Sequence, residues 1–334
     1  MSVAIRPARD DDADAFVAIV SASWAEYPGC VTDILGEAPE LHALATAMAH
    51  QGGHAWAACV DGAVAGLVAC WPREAGIWEL GKMYVAARHR GTGVAPALLQ
   101  TAETFAKTHG AAELTLWSDT RFSRAHAFYE RHGFLRTGPI RALDDRSHTI
   151  EFGFSKPLVG VEVRVLDAAA AASAPRALAD ILVTCVAGSA SVSFLPPLAP
   201  DVARGFWRRA ATQVATGRRI LVVAWADGVL SGVVTVDCDT PQNQPHRADI
   251  QKMLVLPGAR RRGIARALMQ AAEQAARDAG RRLLTLDTAS DAAEALYRSL
   301  GYTVAGRIPG YALDGDGRPL DTALYYKALG SVGD

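Results

Sequence analysis

Two short runs in this chain, Arg90-Gly91-Thr92-Gly93-Val94-Ala95 and Arg260-Arg261-Arg262-Gly263-Ile264-Ala265, set small residues and positive charge at what read as junctions between a strand and a helix. Such a junction points unpaired backbone N–H groups and the positive end of the helix dipole at whatever lies beyond it, and small residues let a ligand come close to the backbone. A diphosphate fits there. Arginine at a helix amino terminus is disfavoured by the dipole by roughly 0.3 to 1 kcal/mol at exposed sites, so three in succession make sense where an anion offsets their repulsion. A single copy would read equally well as a solvated basic turn; two copies in the same context favour the anion site. Other phosphate motifs fit poorly. Neither run ends in the Gly-Lys-Ser or Gly-Lys-Thr of a P-loop, and Gly91-Thr92-Gly93 runs on into Val94-Ala95-Pro96 without completing a dinucleotide fingerprint.

Groups able to move protons accompany both runs. Glu79 and Asp249 occupy equivalent places on the strand ahead of each turn, where a carboxylate could accept a proton directly or through water; an exposed strand carboxylate is the plain alternative. Tyr129 and Tyr297 each precede a glycine, Gly133 or Gly301, and each has an apolar neighbour, Phe128 or Leu296, beside which it could instead pack on the core face of its helix. His246 is a rival base in the second half, although a lone histidine is more often simply hydrogen-bonded. Asp119-Thr120 and Asp287-Thr288 could orient a ligand or cap the following helix, and capping is the better reading, as it is for Asp291 with Glu294.

The elements that must position these groups occur twice. Glu79, Lys82, Val85 and Arg90 reappear as Asp249, Lys252, Val255 and Arg260 at a constant 170-residue offset (249 − 79, 252 − 82, 255 − 85, 260 − 90), which persists from Gly93 and Gly263 to Gly110 and Gly280. A period this long marks a domain duplication, since solenoid repeats are far shorter. Each half reads as an opening strand, an alanine-rich helical stretch, and a hairpin around Asp61-Gly62 or Asp227-Gly228. A further strand then runs into the arginine-led turn and a long amphipathic helix, followed by a short strand, a helix carrying the tyrosine and two closing strands. That order predicts an α/β fold, a mixed α+β sheet in each of two domains, 1–156 and 161–330, joined by a linker around Ser155 to Gly160.

Composition bounds the rest. A chain of 334 residues, half of them apolar, can fill about two ordinary cores. A formal charge of −1 and a pI near 6.8 give no electrostatic reason to expect nucleic acid or an anionic membrane as partner. The five cysteines, Cys30, Cys59, Cys70, Cys185 and Cys238, are scattered without a Cys-x-x-Cys pair, so no metal is expected, and a cytoplasmic protein is. Oligomeric state stays open, including a monomer whose own two domains pair.

At Arg90, Gly93 and Ala95, and again at Arg260, Gly263 and Ala265, the chain resembles the GNAT superfamily of N-acetyltransferases, whose hallmark is Arg or Gln-x-x-Gly-x-Gly or Ala between a strand and a helix. The resemblance implies acetyl-CoA as cofactor, its pyrophosphate cradled by the amides of Arg90, Gly91, Thr92, Gly93, Val94 and Ala95 and of Arg260, Arg261, Arg262, Gly263, Ile264 and Ala265. It also implies two splayed strands, with the pantetheine arm pairing to the backbone of Met83, Tyr84 and Val85, or Met253, Leu254 and Val255. Tyr129 and Tyr297 would then reach the thioester sulfur as general acids, and Glu79 and Asp249 would accept the amine proton.

The second half is more specifically similar to tabtoxin-resistance-type acetyltransferases, through Asn243 to Lys252, the triple arginine, Leu286-Asp287-Thr288, Ile308 to Tyr311 and Tyr325 to Lys327. That supports a small amine, amino-acid-like or antibiotic-like, met by His246, Gln251, Asp287 and Thr288. Ser189 to Phe194, with Trp207 nearby, reads either as a substrate loop or as a flexible connector. The rival class is a non-catalytic acyl-CoA-binding sensor in one half.

Overall fold

The computed structural model describes residues 3–330, which form two compact units, one holding residues up to Tyr129 together with Phe134–Val159 and the other Glu130–Gly133 with the chain from Gly160 onward. The first contains β1 (Val3–Pro7), α1 (Ala13–Trp24), α2 (Ile34–Glu37), α3 (Leu44–His50), β2 (His54–Val60), β3 (Ala63–Glu74), β4 (Ile77–Val85), α4 (Val94–Thr108), β5 (Glu113–Asp119), α5 (Ser123–Arg131), β6 (Leu135–Arg136), β7 (Arg141–Ala142) and β8 (Ile150–Pro157). The second contains β9 (Val161–Val165), α6 (Ala168–Ser173), α7 (Pro175–Ala187), α8 (Pro200–Ala215), β10 (Arg219–Ala226), β11 (Val229–Asp237), β12 (Arg247–Val255), α9 (Ile264–Asp278), β13 (Leu283–Thr288), α10 (Asp291–Ser299), β14 (Thr303–Leu313) and β15 (Pro319–Ala328). No helix among the described residues is long and apolar enough to cross a membrane.

Each unit is built on one mixed sheet, in the order β1-β2-β3-β4-β5-β8-β6 with β7 also on β8, and β14-β15-β13-β12-β11-β10-β9. Only β4 with β5 and β12 with β13 run parallel, because the long helix α4 or α9 carries the chain back between them. The hairpins close at Val60↔Ala63 and Ala226↔Val229. Both turn residues have positive φ, 51° and 82° at Asp61-Gly62 and 50° and 86° at Asp227-Gly228, which matches the right-handed twist of the flanking strands. On α4 the buried positions Val94, Leu98, Leu99, Ala102 and Ala106 follow the helical period, as do Ile264, Leu268, Met269, Ala272 and Ala276 on α9.

One irregularity shapes the site. Lys82 and Lys252 sit in left-handed backbone, φ 51° and 52°, at a point where the pairing of β4 with β3 and of β12 with β11 slips by a residue. Beyond this bulge the parallel neighbour is lost: β4 pairs with β5 only as far as Leu80↔Leu116, and β12 with β13 only as far as Asp249↔Thr285. The strands splay in both units.

Several details differ from the sequence reading. Ser155 and Lys156 lie inside β8, paired to β5, so the connection between units is Leu158–Gly160, shorter than expected. Lys156 is buried there because its ammonium meets Glu103 of α4 at 2.6 Å, just as Lys327 of β15 meets Glu273 of α9 at 2.6 Å. Trp207 belongs to α8, fully buried, and is core. Asp291 and Glu294 form no capping box: Ser290 caps α10 through Ala293 N–H, while Glu294 turns inward to accept from the Tyr325 hydroxyl at 2.7 Å and pairs with Arg298 and Arg307.

Candidate active sites

Past the splay, each strand ends at Val85 or Val255 and passes through a short 3₁₀ turn, Ala87–His89 or Pro257–Ala259, to the arginine and the next helix. Gly91, Gly93 and Gly263 hold φ of 77°, 93° and 80°, and a Cβ at any of them would meet nothing within 4 Å, so the outer face of the turn is open. The first helical bonds are Ala97 N–H to Gly93 and Ala267 N–H to Gly263. Ahead of them, the N–H groups of Gly91, Thr92, Gly93, Val94 and Ala95, and of Arg261 through Arg266, have no partner among the described residues. Pro96 removes one donor from the first unit at no cost to the helix. This row of bare amides is an anion cradle made of backbone.

The amides of the leading arginines, expected in the cradle, are already taken, Arg90 N–H by Ala87 O and Arg260 N–H by Pro257 O, both at 3.3 Å. Nε of Arg90 donates to Val85 O at 3.1 Å and Nε of Arg260 to Val255 O at 3.2 Å; Arg90 also pairs with Glu26 at 2.7 Å. Their side chains brace the turn against the strand end. Arg262 pairs with Asp227, and Thr92 Oγ1 donates to His89 O. Arg261 adopts φ 62° where the first unit has Gly91, a costly conformation for a side chain-bearing residue.

Below the cradle, Met83, Tyr84 and Val85, and Met253, Leu254 and Val255, keep β3 or β11 on one side and lack a strand on the other, leaving a free backbone edge. The Tyr84 hydroxyl accepts from Trp24 Nε1 at 3.0 Å, and burial pushes its pKa up to about 12.

Tyr129 and Tyr297 are buried, and their rings pack in the core, against Phe134 and Phe154 in one unit and Tyr302 and Tyr325 in the other. Core packing and a free hydroxyl coexist: neither oxygen has a hydrogen-bond partner among the described residues. Burial raises both pKa values, with the Asp287 charge adding to the effect at Tyr297, so both hydroxyls stay protonated at neutral pH.

The carboxylates separate into held and free. Glu79, mostly buried, meets only Arg73 at 3.1 Å, and burial raises its pKa against the opposing Arg73 charge. Its counterpart Asp249 is clamped by Arg247 at 2.6 Å and by the Thr285 hydroxyl, an arrangement suited to fixing the strand pair and poor for a base. On the other strand the pattern reverses. Asp119 is buried and gripped by Arg121, which donates from Nε at 2.9 Å and Nη2 at 2.6 Å and also reaches Thr149. Asp287 has no such partner, because Ala289 stands where Arg121 would be. Asp287 is exposed along the strand, yet desolvation by the protein beside it raises its pKa, with the Lys252 charge opposing and Asp249 adding to the effect. Thr288 is buried and accepts from Ser290 N–H at 3.2 Å, so it steadies the approach to α10.

Two expected substrate residues lie elsewhere. His246 precedes β12 at the end that is still paired with β13, and at about 3.3 Å of rise per residue it is roughly 20 Å along the strand from the bulge. Gln251 is taken up in a network with Arg219 and Asp237, whose own ion pair is 2.6 Å long. Conversely, the Lys252 ammonium lies over the rings of Phe194, from the stretch read as a substrate loop or connector, and of Phe206, which was not singled out.

The chain is similar to several known proteins. An uncharacterised N-acetyltransferase in the hisH-hisA intergenic region of Azospirillum brasilense is 31% identical over 112 residues, 33% of this chain and 65% of that protein, so the chain spans slightly under two thirds of that relative's length. Among solved structures, the chain is similar to an N-acetyltransferase from Staphylococcus aureus Mu50, at 21% identity and a TM-score of 0.44 over 51% of this chain and 99% of that one. It is also similar to a GNAT superfamily phosphinothricin acetyltransferase from Sinorhizobium meliloti in complex with AcCoA, at 21% identity and a TM-score of 0.43 over 52% of this chain and 90% of that one. The model of the acetyltransferase (GNAT) family matches residues 16–134 and again residues 191–302. With that domain present twice in tandem, the chain belongs to the acetyltransferase (GNAT) family.

Proposed function

We propose that the protein is an N-acetyltransferase that moves the acetyl group of acetyl-CoA to the amine of a small molecule by direct attack while both are bound. The observation that carries this reading is the free strand edge running from the bulge into a row of unpaired amides, present in both units. An extended arm ending in a diphosphate would satisfy both features at once. The strand N–H groups beyond Lys252 would polarise the thioester carbonyl, and acetyl-CoA supplies that thioester.

In the second unit Asp287 accepts the proton of the incoming ammonium and Tyr297 donates to the departing thiolate. Asp287 suits the role because a carboxylate of raised pKa is a stronger base and no cation holds it. In the first unit the equivalent pair is Glu79 and Tyr129. Asp249 is a positioning residue here. A second reading for the first unit, acetyl-CoA binding without turnover, is favoured by the Arg121 grip on Asp119.

The test is free-thiol release from acetyl-CoA by the intact chain across a panel of small amines and amino acids, beside calorimetric titration of acetyl-CoA. Saturable thiol release dependent on amine is expected. Absence of acetyl-CoA binding would end the proposal; binding without release on any amine would leave only the sensor reading.

A further inference from the structure

Trp71 of β3 stands directly opposite Glu79 of β4. From there its indole leans diagonally over Gly81, the residue before the bulge: a Cβ at Gly81 would sit 2.5 Å from Cη2 and 3.0 Å from Cζ3 of the ring. Gly81 lies outside the left-handed region, so the approach of the ring is what requires glycine there. The indole thus covers β4 between the carboxylate and the point where the strands part. It is only partly buried, and its Nε1 is enclosed without a hydrogen-bond partner among the described residues. A phenyl ring would fill the core as well without that stranded donor.

A second indole stands across the splay. Leu114 and Leu116 lie in the core under α4 with Trp78 and Leu80, so Trp117 of β5 shares the opposite face with Glu79. It too rests on a glycine: a Cβ at Gly153 of β8 would lie 3.3 Å from its Cζ3, and Arg141 stacks 4.1 Å from a ring centre. The second unit is built otherwise. Asp237 stands opposite Asp249 where the first unit has Trp71, and both Asp237 and Gln251 are tied to Arg219. Polar groups fill a floor that is aromatic in the first unit.

We infer that the first unit selects an amine carried on a flat aromatic ring, with Trp71 as the specificity-determining residue. The acceptor's ring lies against the Trp71 indole, Trp117 bounds the same face, and the amine comes to Glu79. This rests on the acetyl-transfer reading and adds a substrate class to it. The amine nitrogen bonds to the thioester carbonyl carbon, the carbon–sulfur bond breaks, one amine proton goes to Glu79 and Tyr129 returns one to the sulfur. Offset stacking suits such a floor. A second charge on the acceptor would find no open partner, since Arg73, Lys82 and Arg141 already pair with Glu79, Glu40 and Glu151.

The experiment uses the full chain with Tyr297→Phe, which suppresses turnover by the second unit, and follows thiol release with three primary amines of equal carbon number: phenylethylamine, cyclohexylethylamine and n-octylamine. The phenyl compound should be preferred. Trp71→Ala should lower its kcat/KM by about 10- to 100-fold more than that of the other two, mostly through KM, and Trp71→Phe should restore most of the preference. Gly81→Ala, which pushes the ring aside without removing it, should shift selectivity the same way. Equal loss on all three amines would make Trp71 a support for the bulge and overturn the inference, as would a parent chain indifferent to the ring. Both results leave acetyl transfer standing, whereas absence of thiol release with every amine would remove the first unit's transfer reading and the inference with it.

Discussion

The two units share a sheet order, a bulge at the same lysine and a row of bare amides, yet they free different carboxylates. In the first, Glu79 on β4 has a raised pKa and Asp119 on β5 is locked by Arg121; in the second, Asp249 on β12 is clamped and Asp287 on β13 is free. The duplicated scaffold keeps the same strand edge and bare amides in both units, while the carboxylate without a close arginine clamp lies on a different strand in each. The cradle and strand edge are made of backbone, which side-chain substitution scarcely alters. The base depends on who its neighbours are, and one residue, Arg121 against Ala289, is enough to change that.

This contrast can be broken in graded ways. Tyr297→Phe should have the largest effect, lowering turnover by the second unit by about 10²- to 10⁴-fold with calorimetric acetyl-CoA affinity unchanged; equal loss of both would make the tyrosine structural. Asp287→Asn comes next, by about 10²-fold. In the parent, kcat/KM should rise with pH through a pKa above the ordinary aspartate range, because the base works only when deprotonated and desolvation raises that pKa. In the variant that limb should vanish. Ala289→Arg would copy the first unit's lock and should reproduce the Asp287→Asn profile, whereas Asp249→Asn should alter turnover less than about threefold, its loss felt in strand positioning.

Smaller effects probe structure. Arg121→Ala leaves Asp119 buried without its main partner and should destabilise the first unit by about 1 to 3 kcal/mol in denaturant titration; an unchanged midpoint would show that Asp119 finds other donors. Ser290→Ala removes the cap of α10 and should cost the second unit about 1 kcal/mol, with little change in turnover.

Much of this was readable from residues in order. The 170-residue repeat, the Asp-Gly hairpins and the amphipathic helices after each arginine-led turn follow from spacing alone, because a helix or a two-residue turn is satisfied by neighbours in the chain. Helices α3 and α8, which lack a side-chain cap, and the four-residue α2 are set by packing more than by local pattern. Arg90 and Arg260 were expected to turn their amides to a diphosphate, but those N–H groups are taken by Ala87 O and Pro257 O while the side chains reach back to Val85 O and Val255 O, partners that only a folded turn brings near.

The sequence by itself determined that one domain is used twice and that each copy ends a strand in a bare helix start, because these are local patterns of period and residue type. Which carboxylate is free, that His246 lies far from the bulge and that Lys252 lies over Phe194 and Phe206 were decided only by the tertiary structure. Those properties belong to pairs of residues on different elements, and charge, burial and pKa are set by what stands across the gap.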